Sequence, residues 1–234
     1  MSISEELSKF IVESNVPLET KNTSKLYVLD WIGSCIAGAD SEPSKITSKI
    51  AQLLGGHPKS TILSTGLKTS APLAAFSNAA SSHVVEMDDL DRTSISHPGA
   101  PIIATALAVA EEINASFDEL IESIAIGYEV GIRTGESLGT SHYQNWHTTG
   151  TAGTMGSVAT ACRLYKLDIS QTINALGTAG TMASGLWQFL EDGAMSKQLH
   201  PAKAAHDGIL AAKLSRESFT GAKKIYEGKK GLLN

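Results

Sequence analysis

The sequence predicts an all-α fold. Stretches with apolar residues three and four apart recur along nearly all of its 234 residues. Three of them open with a helix-start signature, Ser or Asp followed three residues later by Glu or Gln: Ser2/Glu5, Ser116/Glu119 and Asp168/Gln171. Only residues 57–70 (HPKSTILSTGLKTS) read as short strand and turn instead.

Behind Ser2, the residues Leu7, Phe10 and Ile11 form the apolar face of a first helix. A second helix is predicted from about Thr23 to Ala37, with Leu26, Leu29, Ile32 and Ile36 as its inward face. Pro43 suits the first turn of a third, which presents Ile46, Ile50 and Leu53 and stops at Gly55-Gly56. A small hairpin is expected around Thr61 to Ser64 and Gly66. Helix resumes near Ala71-Pro72 and runs to about Val85. Ser94 to Gly99 is a loop, and Pro98 and Pro101 introduce a helix reaching about Ile113. Phe117, Leu120, Ile121, Ile124 and Tyr128 form one stripe behind Ser116. Helices follow from about Thr149 to Tyr165, from Asp168 to about Ser184, and from about Ala194 to Arg216. Residues 1–220 are therefore read as one helical domain. Residues 221–234 (GAKKIYEGKKGLLN), basic and glycine-punctuated, read as the start of a linker. Gly150, Gly153 and Gly156 serve close helix packing, because their spacing matches neither phosphate-loop pattern.

Composition narrows the function. At 42% apolar and 18% charged residues the chain is not disordered. A net charge of −5 argues against general nucleic-acid binding, while leaving room for a local positive pocket. Cys35 and Cys162 are too few for a disulfide scaffold or the thiolates of an ordinary iron–sulfur cluster, and they fit a reducing cytoplasm. The acidic, amphipathic start does not read as a signal peptide. The longest apolar run, Pro101 to Ala110, is far short of the roughly 20 residues of a membrane span.

Three clusters could carry chemistry. In the first, Glu86, Asp88, Asp89 and Asp91 lie within six residues and precede His97. Carboxylates so close repel one another and call for cations or solvent. A metal site is weakly supported, with His97 taken as the only nearby nitrogen ligand and no HExxH pattern present. His97 lies just before a helix start, whose partial positive charge should attract a carboxylate and lower the imidazole's pKa. The second cluster surrounds His147, again directly before a predicted helix, with Thr148 or Thr149 as cap. The two starts together could clamp a polycarboxylate. In the third, Lys197 falls early in the last helix, where it could neutralise a substrate carboxylate. His200 and His206 read as packing or capping residues. The plain alternatives are an exposed acidic helix end, packed histidines and a solvated lysine. A Ser–His–Asp hydrolase is disfavoured because no GxSxG elbow exists.

The segments HVVEMDD, HPGAP, YQNWHTTGTAGTMGSVA and GLWQFLEDGAMSKQLHPAKAA, in this order and spacing, resemble the MmgE/PrpD family. The resemblance runs from about Leu26 to Leu233. That family includes 2-methylcitrate dehydratase, cis-aconitate decarboxylase and iminodisuccinate epimerase. It implies a large helical domain bearing most of the active site, homodimers, and no metal or organic cofactor. Its acidic motif falls on Glu86, Asp88 and Asp89, its two histidines on His97 and His147, and its lysine on Lys197. Catalytic roles are thereby implied for His97, His147, Lys197 and Asp88, and substrate contacts for Glu86 and Asp89. Three departures stand out. The loop from Asp89 to His97 is one residue longer than in the decarboxylase branch, Leu90 replaces that branch's threonine, and Ala202 replaces a common glycine. Family members are about twice as long, with an α+β lid domain after the helical one. This chain is expected to lack that lid, as a split-gene subunit that draws it from a separate chain, a shortened paralogue or a fragment. The implied activity is a cofactor-independent lyase that moves a proton beside a carboxylate of a small polycarboxylate, like 2-methylcitrate dehydratase. An epimerase using the same residues is the alternative, and a non-catalytic scaffold the third reading.

Overall fold

Residues 2–234 are described by a computed structural model, as ten α-helices, one 3-10 turn and a two-stranded hairpin. The helices are α1 (Ile3–Glu13), α2 (Leu18–Gly38), α3 (Glu42–Leu54), α4 (Ala71–His83), α5 (Gly99–Ile113), α6 (Phe117–Tyr143), α7 (Thr148–Leu164), α8 (Ile169–Met182), α9 (Gln188–Asp192) and α10 (Leu199–Arg216). The hairpin pairs Ser60–Thr61 with Lys68–Thr69 in antiparallel register. The 3-10 turn, Met195–Gln198, leads directly into α10. Among the described residues no helix is long and apolar enough to cross a membrane.

Local chemistry sets the helix starts. The three predicted capping boxes are all formed: Ser2 with Glu5, Ser116 with Glu119 and Asp168 with Gln171. In each, the cap side chain accepts from the third helical N–H while the Glu or Gln accepts from the cap's own amide, so two otherwise unpaired donors are satisfied.

The centre is built around α5 and α7. Ile102, Ile103 and Val109 of α5 are fully buried. α7 is buried along nearly its whole length, although it is mostly Gly, Ala, Thr and Ser. The absence of side chains is what brings its neighbours close. A Cβ on Gly127 of α6 would lie 2.0 Å from Thr160 Oγ1, and one on Gly156 would lie 2.9 Å from the Gly127 carbonyl. Two buried hydroxyls of α7 are satisfied within the helix, Thr154 donating to the Gly150 carbonyl and Thr160 to that of Gly156. The packing reading of these glycines holds.

The inward faces of α2 and α3 are not the predicted ones. Leu26, Leu29, Ile32 and Ile36 lie on the exposed side of α2, and Ile46, Ile50 and Leu53 on that of α3. α2 buries Ser24, Val28, Trp31, Ser34, Cys35 and Gly38 instead, and α3 buries Ser44, Thr47, Ser48 and Ala51. Close approach explains the inversion. A Cβ on Gly38 would stand 2.0 Å from the Ser81 carbonyl of α4. The serines of α3 hydrogen-bond across to α4, Ser44 to Ser81 at 3.0 Å and Ser48 to Ser77 at 2.9 Å. Small hydroxylated residues thus form the contact, and on the outward side Leu26 and Leu29 line a groove with Met87. Phe117 is likewise exposed, at 60%, while the rest of its stripe is buried.

Smaller differences follow from the same local rules. α2 begins a turn earlier than expected, at Leu18 after Pro17, and α4 ends at His83 rather than Val85. α10 begins at Leu199, not Ala194, because Gly193 takes a left-handed conformation and Met195–Gln198 coil as a 3-10 turn. Residues 221–234, expected to begin a linker, lie on the helical body. Tyr226 is buried and its hydroxyl meets Thr134 of α6 at 2.9 Å, while Ile225 packs where Gly180 leaves room.

Candidate active site

The segment between α4 and α5 bears Glu86, Asp88, Asp89 and His97. It folds back on itself through paired backbone hydrogen bonds between Asp91 and Ser96, with the Asp91 carboxylate accepting from the Ser94 amide and hydroxyl at 2.7 Å each. Glu86 sits at φ +54°, a left-handed conformation that turns the chain sharply out of α4.

The four carboxylates do not act as one cluster, because the fold sends them to different places. Asp88 points inward, and its side chain is fully buried between His83 and His97. Its Oδ2 is 2.8 Å from His83 Nδ1 and 3.4 Å from His97 Nδ1. Burial alone would raise its pKa, but the two imidazoles outweigh that and hold the carboxyl well below the usual range. Asp88 is therefore ionised and accepts only, so His83 Nδ1 donates to it. Asp89, expected to contact substrate, has both oxygens engaged by the protein. Oδ1 accepts from the Gly99 amide at 3.0 Å and Oδ2 from the Tyr128 hydroxyl at 2.9 Å. Burial, with Asp88 nearby, raises Asp89 to about 6 despite these hydrogen bonds. Glu86 remains half exposed and pairs with Lys197. That ion pair joins two segments 111 residues apart, and Lys197 itself is mostly covered.

His97 follows the folded-back segment, and Pro98 and Gly99 open α5 directly after it. The helix terminus was expected to lower its pKa. Burial does act in that direction, yet the Asp88 carboxylate, with Glu86 behind it, raises it overall. The first amide of α5 is already taken by Asp89, so this helix start does not offer its leading N–H to a ligand.

His147 is itself the residue ahead of α7, in the position expected for Thr148 or Thr149. Its amide donates to the Gly185 carbonyl at 2.8 Å, which sets the approach of the helix. The buried ring lies against Trp187 and meets His200, Nδ1 to Nδ1, at 3.0 Å. Burial lowers His147 to about 2 and His200 to about 4, with neighbouring histidines and Lys197 adding to the effect. Both rings are thus neutral at pH 7, and one donates to the other.

The fold brings His97, His147, Lys197, Glu86 and Asp88 together, and adds two histidines. The His83 ring stands 4.8 Å from that of His97 and 5.9 Å from that of His147, and the His147 and His200 rings are 5.2 Å apart. His97 is thus not the only nitrogen donor near the acidic motif, because His83 closes α4 five residues before Asp88. His200 had been read as a packing residue. The signal for it was its place three residues after Lys197, where the 3-10 turn passes into α10. His83, Asp88 and His97 bring three donor atoms within 4.8 Å of one another, near enough to share a cation. The 2.8 Å His83–Asp88 separation is that of a hydrogen bond already made between them.

Chemically, the arrangement holds one cation, two neutral imidazoles and one imidazole backed by a buried carboxylate. Such a set suits binding carboxylates and moving a proton.

Comparison with known proteins shows the family. Residues 5–234 match the family model described as the MmgE/PrpD N-terminal domain. The chain is 24% identical, over 97% of its own length, to cis-aconitate decarboxylase-like protein oryM of Aspergillus oryzae. It is 25% identical over 93% to cis-aconitate decarboxylase of Aspergillus terreus, and 26% identical over 87% to that of Homo sapiens. The matches cover 49%, 46% and 43% of those proteins, so the chain spans about half the length of these relatives. The capped helices, the buried Asp88 between two histidines and the Glu86–Lys197 pair are accordingly features of a member, over its N-terminal domain, of the MmgE/PrpD family.

Proposed function

We propose that this helical domain is the carboxylate-binding and proton-moving half of a lyase acting on a small polycarboxylate. The observation that supports it best is the convergence of Lys197, His97 and the neutral His147–His200 pair beside a half-open Glu86. Removing a proton from carbon next to a carboxylate places negative charge on that carboxylate. The groups that stabilise it must be fixed in advance and aimed at the developing charge. Lys197 takes this role. His97, with Nδ1 turned to Asp88, has Nε2 free to accept or return the proton. Asp88 orients and charges His97 rather than exchanging protons itself, since it stays ionised. Asp89 anchors the start of α5 in place of a substrate contact.

In a dehydration, His97 takes the proton next to the carboxylate, the C–O bond breaks, and the departing hydroxide leaves as water with a proton from the opposite side. The relatives are named as decarboxylases. The exposed Leu90, standing where the decarboxylase branch has threonine, counts against decarboxylase specificity for this chain. A second domain, of the kind the resemblance implies, closes the cleft over the half-exposed Glu86.

The test is incubation of the chain in D₂O with 2-methylcitrate, citrate, cis-aconitate and iminodisuccinate, followed by proton NMR. Alkene growth supports dehydration. Loss of a carboxyl carbon would place the chain with the decarboxylases instead, and deuterium uptake without conversion would make it an epimerase. The absence of both turnover and substrate-induced shifts of the histidine resonances, with and without an added lid-domain partner, would overturn the reading.

A further inference from the structure

We propose that His83 is a positioning residue for this site: from the rigid end of α4 it clamps Asp88, and through Asp88 it fixes the orientation and the proton position of His97. The inference rests on the assignment of His97 as the proton-moving group, and reaches back one residue behind it.

The first ground is placement. Asp88 and His97 both lie on the non-helical segment between α4 and α5, whereas His83 is the last residue of α4 and is fully buried. Of the three, only His83 is held by a helix, so it is the fixed point against which the other two are set. The Asp91–Ser96 pairing and the Asp89 contacts to Gly99 and Tyr128 shape the segment elsewhere. None of them reaches the Asp88 side chain.

The second ground is the pattern of polar contacts. His83 Nδ1 donates to Asp88 at 2.8 Å, while its Nε2 is buried with no hydrogen-bond partner among the described residues. An imidazole kept in the interior for packing alone would leave both nitrogens costly to bury, and a Leu or Phe would fill the space better. Its one side-chain hydrogen bond is spent on Asp88. Asp88 Oδ1 and His97 Nδ1 are likewise buried without a hydrogen-bond partner, so Oδ2 is bonded by His83 and only approached by His97. One carboxylate oxygen has lone pairs for two donors. With His83 on one side, the remaining direction faces His97 Nδ1, 3.4 Å away.

The third ground is ring geometry. The His83 ring meets His97 nearly edge-on, at 4.8 Å and 68°, which restricts the tilt of His97. Because the nearest polar atom to the buried His97 Nδ1 belongs to an ionised, acceptor-only carboxylate, we assign the proton to Nδ1 and the basic lone pair to Nε2. A free imidazole prefers the opposite tautomer, so the assignment requires Asp88 to be held in place.

The experiment labels histidine with nitrogen-15 in the full chain and reads tautomers from long-range proton–nitrogen correlations, alkaline of the histidine titrations. His97 is expected with its proton on Nδ1. Two variants of similar size and polarity separate the clamp from mere space-filling. His83→Asn keeps an N–H donor near the position of Nδ1 and should retain the His97 tautomer. His83→Gln places its amide near the Nε2 position, away from Asp88, and should let His97 revert mainly to the Nε2-protonated form. If a substrate has been found, His83→Gln should lower kcat about 10- to 100-fold with little change in KM, and His83→Asn should restore most of it. An unchanged His97 tautomer in His83→Gln would overturn the proposal, as would a wild-type His97 protonated on Nε2. Because the tautomer is read without substrate, these results stand apart from any failure of the lyase assignment.

Discussion

The amide of His97 donates to the hydroxyl of Thr149 at 3.0 Å. That one bond ties the segment ahead of α5 to the first turn of α7, and so fixes the two histidines that precede these helices relative to each other. Thr149 is fully buried, so the bond is formed away from water. Thr149→Val keeps the shape and removes the acceptor, leaving the His97 amide unsatisfied. It should cost about 1–3 kcal/mol in denaturant unfolding, and Thr149→Ser should recover most of the loss. Equal stability of all three proteins would show that the bond does not hold the site together.

The inverted faces of α2 and α3 predict a contrast between neighbouring positions. Leu29 is 68% exposed and Trp31 is 1% exposed. Leu29→Ser should change stability by no more than ~0.5 kcal/mol. Trp31→Ala should cost about 3–5 kcal/mol, through the cavity and the loss of the indole contact to the Ala100 carbonyl. Thermal or denaturant melts of the two variants decide it. The opposite order would restore the aliphatic stripe as the core face.

That contrast also shows where the sequence was readable and where it was not. Capping boxes depend on four consecutive residues, and all three were legible. Which face of α2 turns inward depends on what α4 offers. α4 offers serine hydroxyls and a carbonyl at close range, which favours Gly38 and Ser34 over Leu29. Apolar periodicity carries no record of that. The site divides in the same way. His97, His147 and Lys197 stood in recognisable motifs, so their convergence could be expected. His200 stood in the same motif as Lys197, but its role was not legible, because its partner His147 lies 53 residues away. Asp88 and Asp89 are neighbours in sequence, yet one faces two histidines and the other caps α5, a distinction only the folded chain makes.

Gly99 makes the division between those two aspartates testable. A Cβ there would lie 2.4 Å from Asp89 Oδ1 and 2.6 Å from the Tyr128 hydroxyl. Gly99→Ala should therefore displace Asp89 from the start of α5 and destabilise the protein by about 1–3 kcal/mol. It should also bring the raised Asp89 pKa, about 6, back toward the ordinary carboxylate range, since the carboxyl moves toward solvent. Carbon-detected NMR titration of the Asp carboxyls reads this shift. A carboxyl still titrating near 6 in the variant would mean that its burial does not depend on Gly99.

Stability should also depend on pH through His147. Its folded-state pKa is depressed to about 2 by burial. Between that value and the unfolded value near 6.5, the unfolded chain binds the proton and the folded chain does not. Acidification therefore favours unfolding, by about 2 kcal/mol from this one group between pH 7 and pH 5. His200, depressed to about 4, acts in the same direction. Asp89 opposes them: with its folded pKa raised to about 6, the folded chain holds the extra proton and gains stability on acidification over the same range. The wild-type profile is a sum of these, so the informative quantity is the difference between wild type and His147→Gln. That difference should shrink as pH falls from 7 to 5, because the variant has no imidazole to protonate at this position. A constant difference in unfolding free energy across that range would mean that His147 takes up its proton as readily in the folded protein as in the unfolded chain.

Lys197 and Glu86 yield the most direct functional prediction. The lysine is the cation proposed to meet the substrate, and Glu86 holds it through their ion pair. Lys197→Ala should lower turnover by at least about 100-fold and weaken binding of a tricarboxylate, measured by titration calorimetry. Glu86→Gln removes the partner's charge while retaining a polar group. Lys197 would then be freer to bind an anion, so tricarboxylate affinity should hold or rise while turnover falls, because the lysine is no longer aimed. An affinity that falls equally in both variants would place Glu86 in contact with the ligand itself, and near-normal turnover in Lys197→Ala would remove the lysine from the chemistry.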